Sequence, residues 1–199
     1  MKKFTLCTML LLFLLGTAGC NKEEKFITAD EVTTNTILAK ANGVLQVATV
    51  EDFDKSYYNL GELEAFIAQK IDEYNKKAGS EKIKVDDVRL KGGKAVMILT
   101  YSGMDQYASF NDVTAAYFNG GISDNPLDMP ETLVSVKDGA LASTQEVLQN
   151  GKYKILVMTE PYDIMVDGKI KYYSENAVLS EDKTIRSAED GMTIVVFKP

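Results

Sequence analysis

The step between apolar positions changes along this chain, and each step predicts an element. Leu60, Leu63, Phe66, Ile67, Ile71 and Tyr74 recur every three or four residues, the spacing of one face of an α-helix. Asn59 precedes the run as an N-cap acceptor, and Gly79 follows it as a left-handed stop. Glu62 and Glu64 sit at the positive end of the helix dipole, Lys76 and Lys77 at the negative end. The spacing predicts a helix over 60–78, with Phe66 and Ile67 in the middle of its apolar face.

Elsewhere the step shortens. Thr34–Ala39 and Val44–Val50 read as strands around Ala41-Asn42-Gly43, and Ile83–Leu90 and Ala95–Tyr101 as strands around Gly92-Gly93. Asp163–Val166 and Lys169–Tyr173 flank Asp167-Gly168, a pair suited to a type I′ hairpin. Ala115–Phe118 and Thr132–Val136 predict two more strands, the second followed by a turn at Asp138-Gly139. Tyr153–Thr159 is apolar on both faces and predicts a central strand covered on two sides. Thr193–Phe197 is another continuous apolar run, expected inside the sheet. Ser102-Gly103-Met104-Asp105 and Ser143-Thr144-Gln145-Glu146 have the pattern of capping boxes and predict two short helices. Hairpins alternating irregularly with helices predict an α+β fold: antiparallel hairpins and sheet packed with one long and two short helices.

One apolar run belongs to none of these elements. Met1-Lys2-Lys3 leads into Leu10 to Leu15, and small residues close the run at Gly16-Thr17-Ala18-Gly19-Cys20. A basic start, a short apolar stretch and small residues are the layout of a secretory signal peptide. The stretch is shorter than the roughly 20 residues of a membrane span. The expected organisation is a signal peptide over 1–19, a polar tether over 20–32 and a single α+β domain over 33–199. Loop chemistry near 119–131 leaves room for two small subdomains joined there.

Cleavage before Cys20 would take two lysines with it and move the formal charge from −7 to −9. An acidic chain with no basic run in its sequence is a poor nucleic-acid binder, because phosphate contacts need concentrated Lys and Arg. For the same reason acyl chains, not a polybasic segment, would have to hold a membrane. Cys7 and Cys20 are the two cysteines, so after cleavage no intramolecular disulfide can form and stability rests on the core. The chain has no histidine, which removes Ser-His-Asp and Cys-His triads and almost all catalytic zinc sites. It has no tryptophan, so any stacking platform must come from its ten tyrosines.

Candidate chemistry is sparse. Asp124-Asn125-Pro126-Leu127-Asp128 clusters oxygen ligands of the kind calcium takes, but without EF-hand spacing or its terminal bidentate Glu; a turn with solvated acids accounts for it. Glu51, Asp52 and Asp54, followed by Tyr57-Tyr58, suit a cation or a sugar, and equally a charged loop leading into the long helix. Glu160 and Asp163 are a carboxylate pair of the type that hydrolyses glycosides. Ser102 and Ser143 lack a nucleophile elbow and a base, and read as helix caps. No catalytic residue, cofactor or metal ligand is singled out.

Thr17-Ala18-Gly19-Cys20 resembles the lipobox of bacterial lipoproteins. The run Lys22-Glu23-Glu24-Lys25 after it is similar to the acid-containing segments that follow the lipid cysteine in Bacteroidetes surface lipoproteins. The resemblance implies cleavage between Gly19 and Cys20, a diacylglyceryl group on the Cys20 thiol, and an extracytoplasmic domain held at the cell membrane or outer membrane by lipid. Two acyl chains suffice for stable anchoring where one does not. The expectation is a non-enzymatic domain that binds an envelope ligand or protein, showing an exposed aromatic patch of Tyr57, Tyr58 or Tyr107. The alternative is an envelope hydrolase showing a cleft with two facing carboxylates.

Overall fold

The computed structural model describes residues 25–122 and 127–199. Cys20, Gly19 and the rest of the signal layout lie outside these residues, as do Asp124, Asn125 and Pro126. The elements run β1 Thr36–Ala39, β2 Leu45–Asp52, α1 Leu60–Ala78, β3 Ile83–Lys91, β4 Lys94–Tyr101, α2 Met104–Asn111 and β5 Ala115–Asn119. They continue β6 Thr132–Ser135, β7 Leu141–Ser143, α3 Thr144–Leu148, β8 Lys154–Met158, β9 Asp163–Val166 and β10 Lys169–Tyr173. Three short segments close the order: β11 Val178–Leu179, β12 Ile185–Arg186 and β13 Thr193–Lys198. The fold is α+β, with strand dominating.

The strands form two sheets, ordered β11-β12-β9-β1-β2-β4-β3 and β5-β8-β13-β10-β6-β7. All pairings are antiparallel except β1 with β9. The sheets share one core. Ile37, Leu45, Ile164 and Leu99 of the first meet Leu156, Val195 and Phe197 of the second, and Ile67, Ile71 and Tyr107 of the helices join them. Both outer faces are covered too. Ile155, Val157, Ile194 and Val196 lie beneath Val147 and Leu148 of α3. This explains the unbroken apolar runs Ile155–Met158 in β8 and Ile194–Phe197 in β13, since each strand lies inside the second sheet with both faces buried there.

α1 starts and stops where its caps dictate. The Asn59 side chain accepts from the Glu62 amide at 3.2 Å, and Gly79 takes φ 71°, which costs glycine little. Asn75 then locks the helix end to β3, accepting from the Lys82 and Ile83 amides at 2.8 and 3.0 Å and donating to the Ile83 carbonyl at 2.8 Å. The buried stripe is narrower than expected. Ile67 and Ile71 are buried, but Phe66 is 58% exposed, one 100° step round the helix from Ile67.

Four further expectations change. Residues 25–32 are not a free tether: Ile27, Ala29 and Val32 are buried against Leu38, Ala48, Val96 and Ile98 on the outer face of the first sheet. That face is apolar and needs cover. The segment is fastened by a polar relay, with the Ile27 amide donating to Gln46 Oε1 at 2.5 Å and Gln46 donating to Asp86 at 3.0 Å. Lys91 adds its ammonium to the carbonyls of Ala29, Asp30 and Val32 at 3.0, 2.7 and 3.2 Å. Second, Asp167-Gly168 makes no hairpin. β9 pairs with β1 and β12, whereas β10 pairs with β13 and β6, so the dipeptide carries the chain from one sheet to the other. Gly168 is required by close approach: a Cβ there would meet the Lys198 carbonyl oxygen at 2.5 Å and Phe197 Cδ2 at 2.8 Å. Third, the capping boxes do not form, since α2 is capped by Gly103 and neither helix receives a side-chain cap bond. Fourth, Tyr107 is buried at 2% exposure and belongs to the core.

Candidate functional site

The connection between β2 and α1 has no core position to fill, and its aromatics stand on the surface. Its start is held by the Phe53 amide, which donates to the Gly93 carbonyl at 2.8 Å at the tip of the β3–β4 hairpin. Its end is the capped first turn of α1. Between these fixed points Phe53 stacks on Tyr58 with centroids 4.8 Å apart, and Tyr57 meets Tyr58 edge-on at 4.9 Å. Tyr57 is 75% exposed and Tyr58 42%. The proximity of Tyr57, then desolvation and the charge of Asp54, raise the Tyr58 pKa, so the Tyr58 hydroxyl stays protonated and available as a donor. Three rings in contact, two of them open to solvent, offer a π face and polar tips to an incoming surface. Tyr57 and Tyr58 were legible in the sequence, whereas Phe53 was hidden among the acids of Glu51-Asp52-Phe53-Asp54.

Two of those three acids are paired with lysines. Asp52 pairs with Lys94 at 2.7 Å, which holds its carboxyl below the usual range, and Asp54 pairs with Lys55 at 3.3 Å. Among the described residues no group of three or more acidic or thiol side chains is arranged to hold a metal.

Glu160 and Asp163 are engaged separately. Asp163 receives a bidentate pair from Arg186, Nε at 2.9 Å and Nη2 at 3.1 Å, and a third bond from Thr34 Oγ1 at 2.9 Å. Its oxygens are thus already taken by the guanidinium and the hydroxyl, in the fork geometry of a bidentate arginine–carboxylate pair. Glu160 accepts from Thr159 Oγ1 at 3.0 Å through one oxygen, and its other oxygen is buried without a partner. Its charge faces a buried tyrosine cluster. Tyr107 donates to Tyr162, and burial raises both pKa values; the neighbours of Tyr107 add to its rise, whereas the hydrogen bonds of Tyr162 with Tyr107 and Thr49 oppose its own. Tyr101 packs edge-on against Tyr107 at 5.4 Å and is pushed up to about 12, chiefly by burial. These are core phenols, stably neutral.

Ser102 donates to Gln106 at 3.3 Å and Ser143 precedes α3, neither beside a base. Of the acidic loop, Leu127 and Asp128 fall within the described residues. No helix among the described residues is long and apolar enough to cross a membrane. Compared with known families, curated proteins and solved structures, the chain matches none.

Proposed function

We propose that this protein is a lipid-anchored, extracytoplasmic binding domain whose contact surface is the aromatic cluster of Phe53, Tyr57 and Tyr58. The anchoring half of the reading rests on the sequence from Met1 to Cys20. The binding half rests on one observation: two tyrosine rings are 75% and 42% exposed on a connection pinned at both ends. Rigid exposed aromatics lose little side-chain entropy when covered, which suits them to recognition. Of the two carboxylates suggested for hydrolysis, Asp163 is already committed to Arg186, so no observation favours the hydrolase.

The test separates the two halves. Cys20→Ala should release the processed protein from the membrane fraction. Tyr57→Ala/Tyr58→Ala should leave the protein membrane-bound and folded while losing the envelope component captured by wild type in cross-linked membranes. Capture unaffected by the double substitution would reject the aromatic site. Turnover of glycoside, peptide or ester substrates that disappears on Glu160→Gln would reject the binding reading.

A further inference from the structure

The sequence has no basic run, yet the fold assembles a basic surface. Lys25, Lys169 and Lys183 line one groove of about 420 Å³, and Lys137, Lys169 and Lys171 line the adjoining one. These lysines come from the N-terminal segment, the β6–β7 turn, β10 and the β11–β12 turn. The two grooves share Val136, 36% exposed, and Ile170. Among the described residues the one acid lining either groove is Asp182, whose carboxylate accepts from the Thr184 amide at 3.1 Å and from the Ser180 hydroxyl. Asp138, beside Lys137, is bonded to Ser135 and the Ala140 amide. Among the described residues, five lysines against one lining acid is a local reversal in a chain of formal charge −7.

This surface lies where the chain enters the fold. Lys25 donates to the Val166 carbonyl at 3.4 Å, at the end of β9. Four residues separate Cys20 from Lys25, so the five-residue step between them spans at most about 18 Å even when fully extended. Because residues 25–32 are packed on the sheet, no further slack is available downstream. The aromatic cluster lies at the other end of the same sheet. Val166 is level with Ala39, and Ala39 with Leu45, while Phe53 follows Asp52, seven residues along β2 from Leu45. At the rise of a strand that is about 23 Å.

We propose that the lysine-lined end is the membrane-facing end of the domain. Lys25, Lys137, Lys169, Lys171 and Lys183 lie against anionic lipid headgroups, Val136 lies at the interface, and Phe53, Tyr57 and Tyr58 point away from the bilayer. The proposal rests on the lipid anchor at Cys20. Anchoring leaves the mature chain without a free thiol, so an introduced cysteine is a unique labelling site. The lipidated protein carrying Val136→Cys or Tyr57→Cys is labelled with a fluorophore. Each is reconstituted in vesicles of phosphatidylethanolamine, with or without phosphatidylglycerol, bearing a headgroup quencher. The label at 136 should be quenched at least about twofold more than that at 57, more so with phosphatidylglycerol, and the difference should shrink in high salt. Lys137→Glu/Lys169→Glu/Lys183→Glu should bring the 136 label down to the level of the 57 label while the protein still floats with the vesicles. Equal quenching at both positions, or no response to phosphatidylglycerol, overturns the proposal and leaves the anchor standing. Failure to float overturns the anchor and the proposal with it.

Discussion

Ile27→Ala distinguishes a docked N-terminal segment from a free one. Ile27 is 5% exposed and sits over Leu38, Ala48, Val96 and Ile98. The substitution removes three carbons, each contributing about 0.8 kcal/mol when buried, for about 2.4 kcal/mol of lost transfer energy. A residual cavity would add to this, but a segment lying on a sheet can settle into the gap, so the loss should fall at about 2–3 kcal/mol. The backbone bond from residue 27 to Gln46 does not involve the side chain and should survive, keeping that amide protected from hydrogen exchange. In a domain of this size the change should lower Tm by roughly 5–9 °C. Phe26→Ala is the matched control: Phe26 is 54% exposed, and its loss should cost under about 1 kcal/mol. The measurement is urea unfolding of the mature protein, read by far-UV circular dichroism. A loss below about 0.5 kcal/mol for Ile27→Ala with an unchanged m-value would refute the docking argument and restore a tether ending near residue 32.

Phe66→Ala should cost under about 1 kcal/mol, while Phe197→Ala, at a fully buried site, should cost about 3–5 kcal/mol; equal losses in urea unfolding would contradict the helix orientation. Gly168→Ala should destabilise by about 1–3 kcal/mol or prevent folding, because its methyl must displace the backbone of Lys198; a neutral result in thermal unfolding would refute the close approach. Tyr101 and Tyr117 both have pKa values raised to about 12 by burial, so the folded protein retains protons that the unfolded chain loses near pH 10. Stability from these groups is therefore complete below about pH 10 and is lost as pH rises from there through about 12, which urea midpoints in that range should follow. A tyrosinate absorbance titration of the native protein in which all ten tyrosines ionise together near pH 10 would refute this.

Local chemistry predicted what local chemistry determines. The limits of α1 follow from Asn59 and Gly79, whose caps act within one turn, and the hairpins at Asn42-Gly43 and Gly92-Gly93 close with neighbours in sequence. The misread positions are those where a distant partner decides. Asp167-Gly168 has hairpin composition, but β9 gains a parallel partner in β1 well over a hundred residues away, and no spacing rule carries that information. Residues 25–32 look polar when counted together; only a face of the first sheet in need of cover makes Ile27, Ala29 and Val32 the residues that matter. Phe66 was placed by an apolar count on a helix whose mean burial is lower than the count implies. At the candidate site Tyr57 and Tyr58 were visible as exposed aromatics in a charged stretch. Their stacking partner Phe53 depends on the hairpin tip at Gly93, and the lysine-lined end gathers residues from four separate stretches of chain.

The position of β13 has a consequence for synthesis. This strand fills the middle of the second sheet, pairing with β8 on one side and β10 on the other, yet it comes after both in the chain. Until residue 198 has emerged, β5-β8 and β10-β6-β7 are two fragments with a strand-wide slot between them. Each fragment then carries an unpaired backbone edge, with Ile155, Leu156 and Val157 along β8 and Ile170, Tyr172 and Tyr173 along β10, the template on which chains aggregate. The order of emergence therefore makes completion of this sheet all-or-none at its final strand. A nascent chain stopped before Thr193 would lack a central strand, and the slot left behind is one that a segment of another chain could enter.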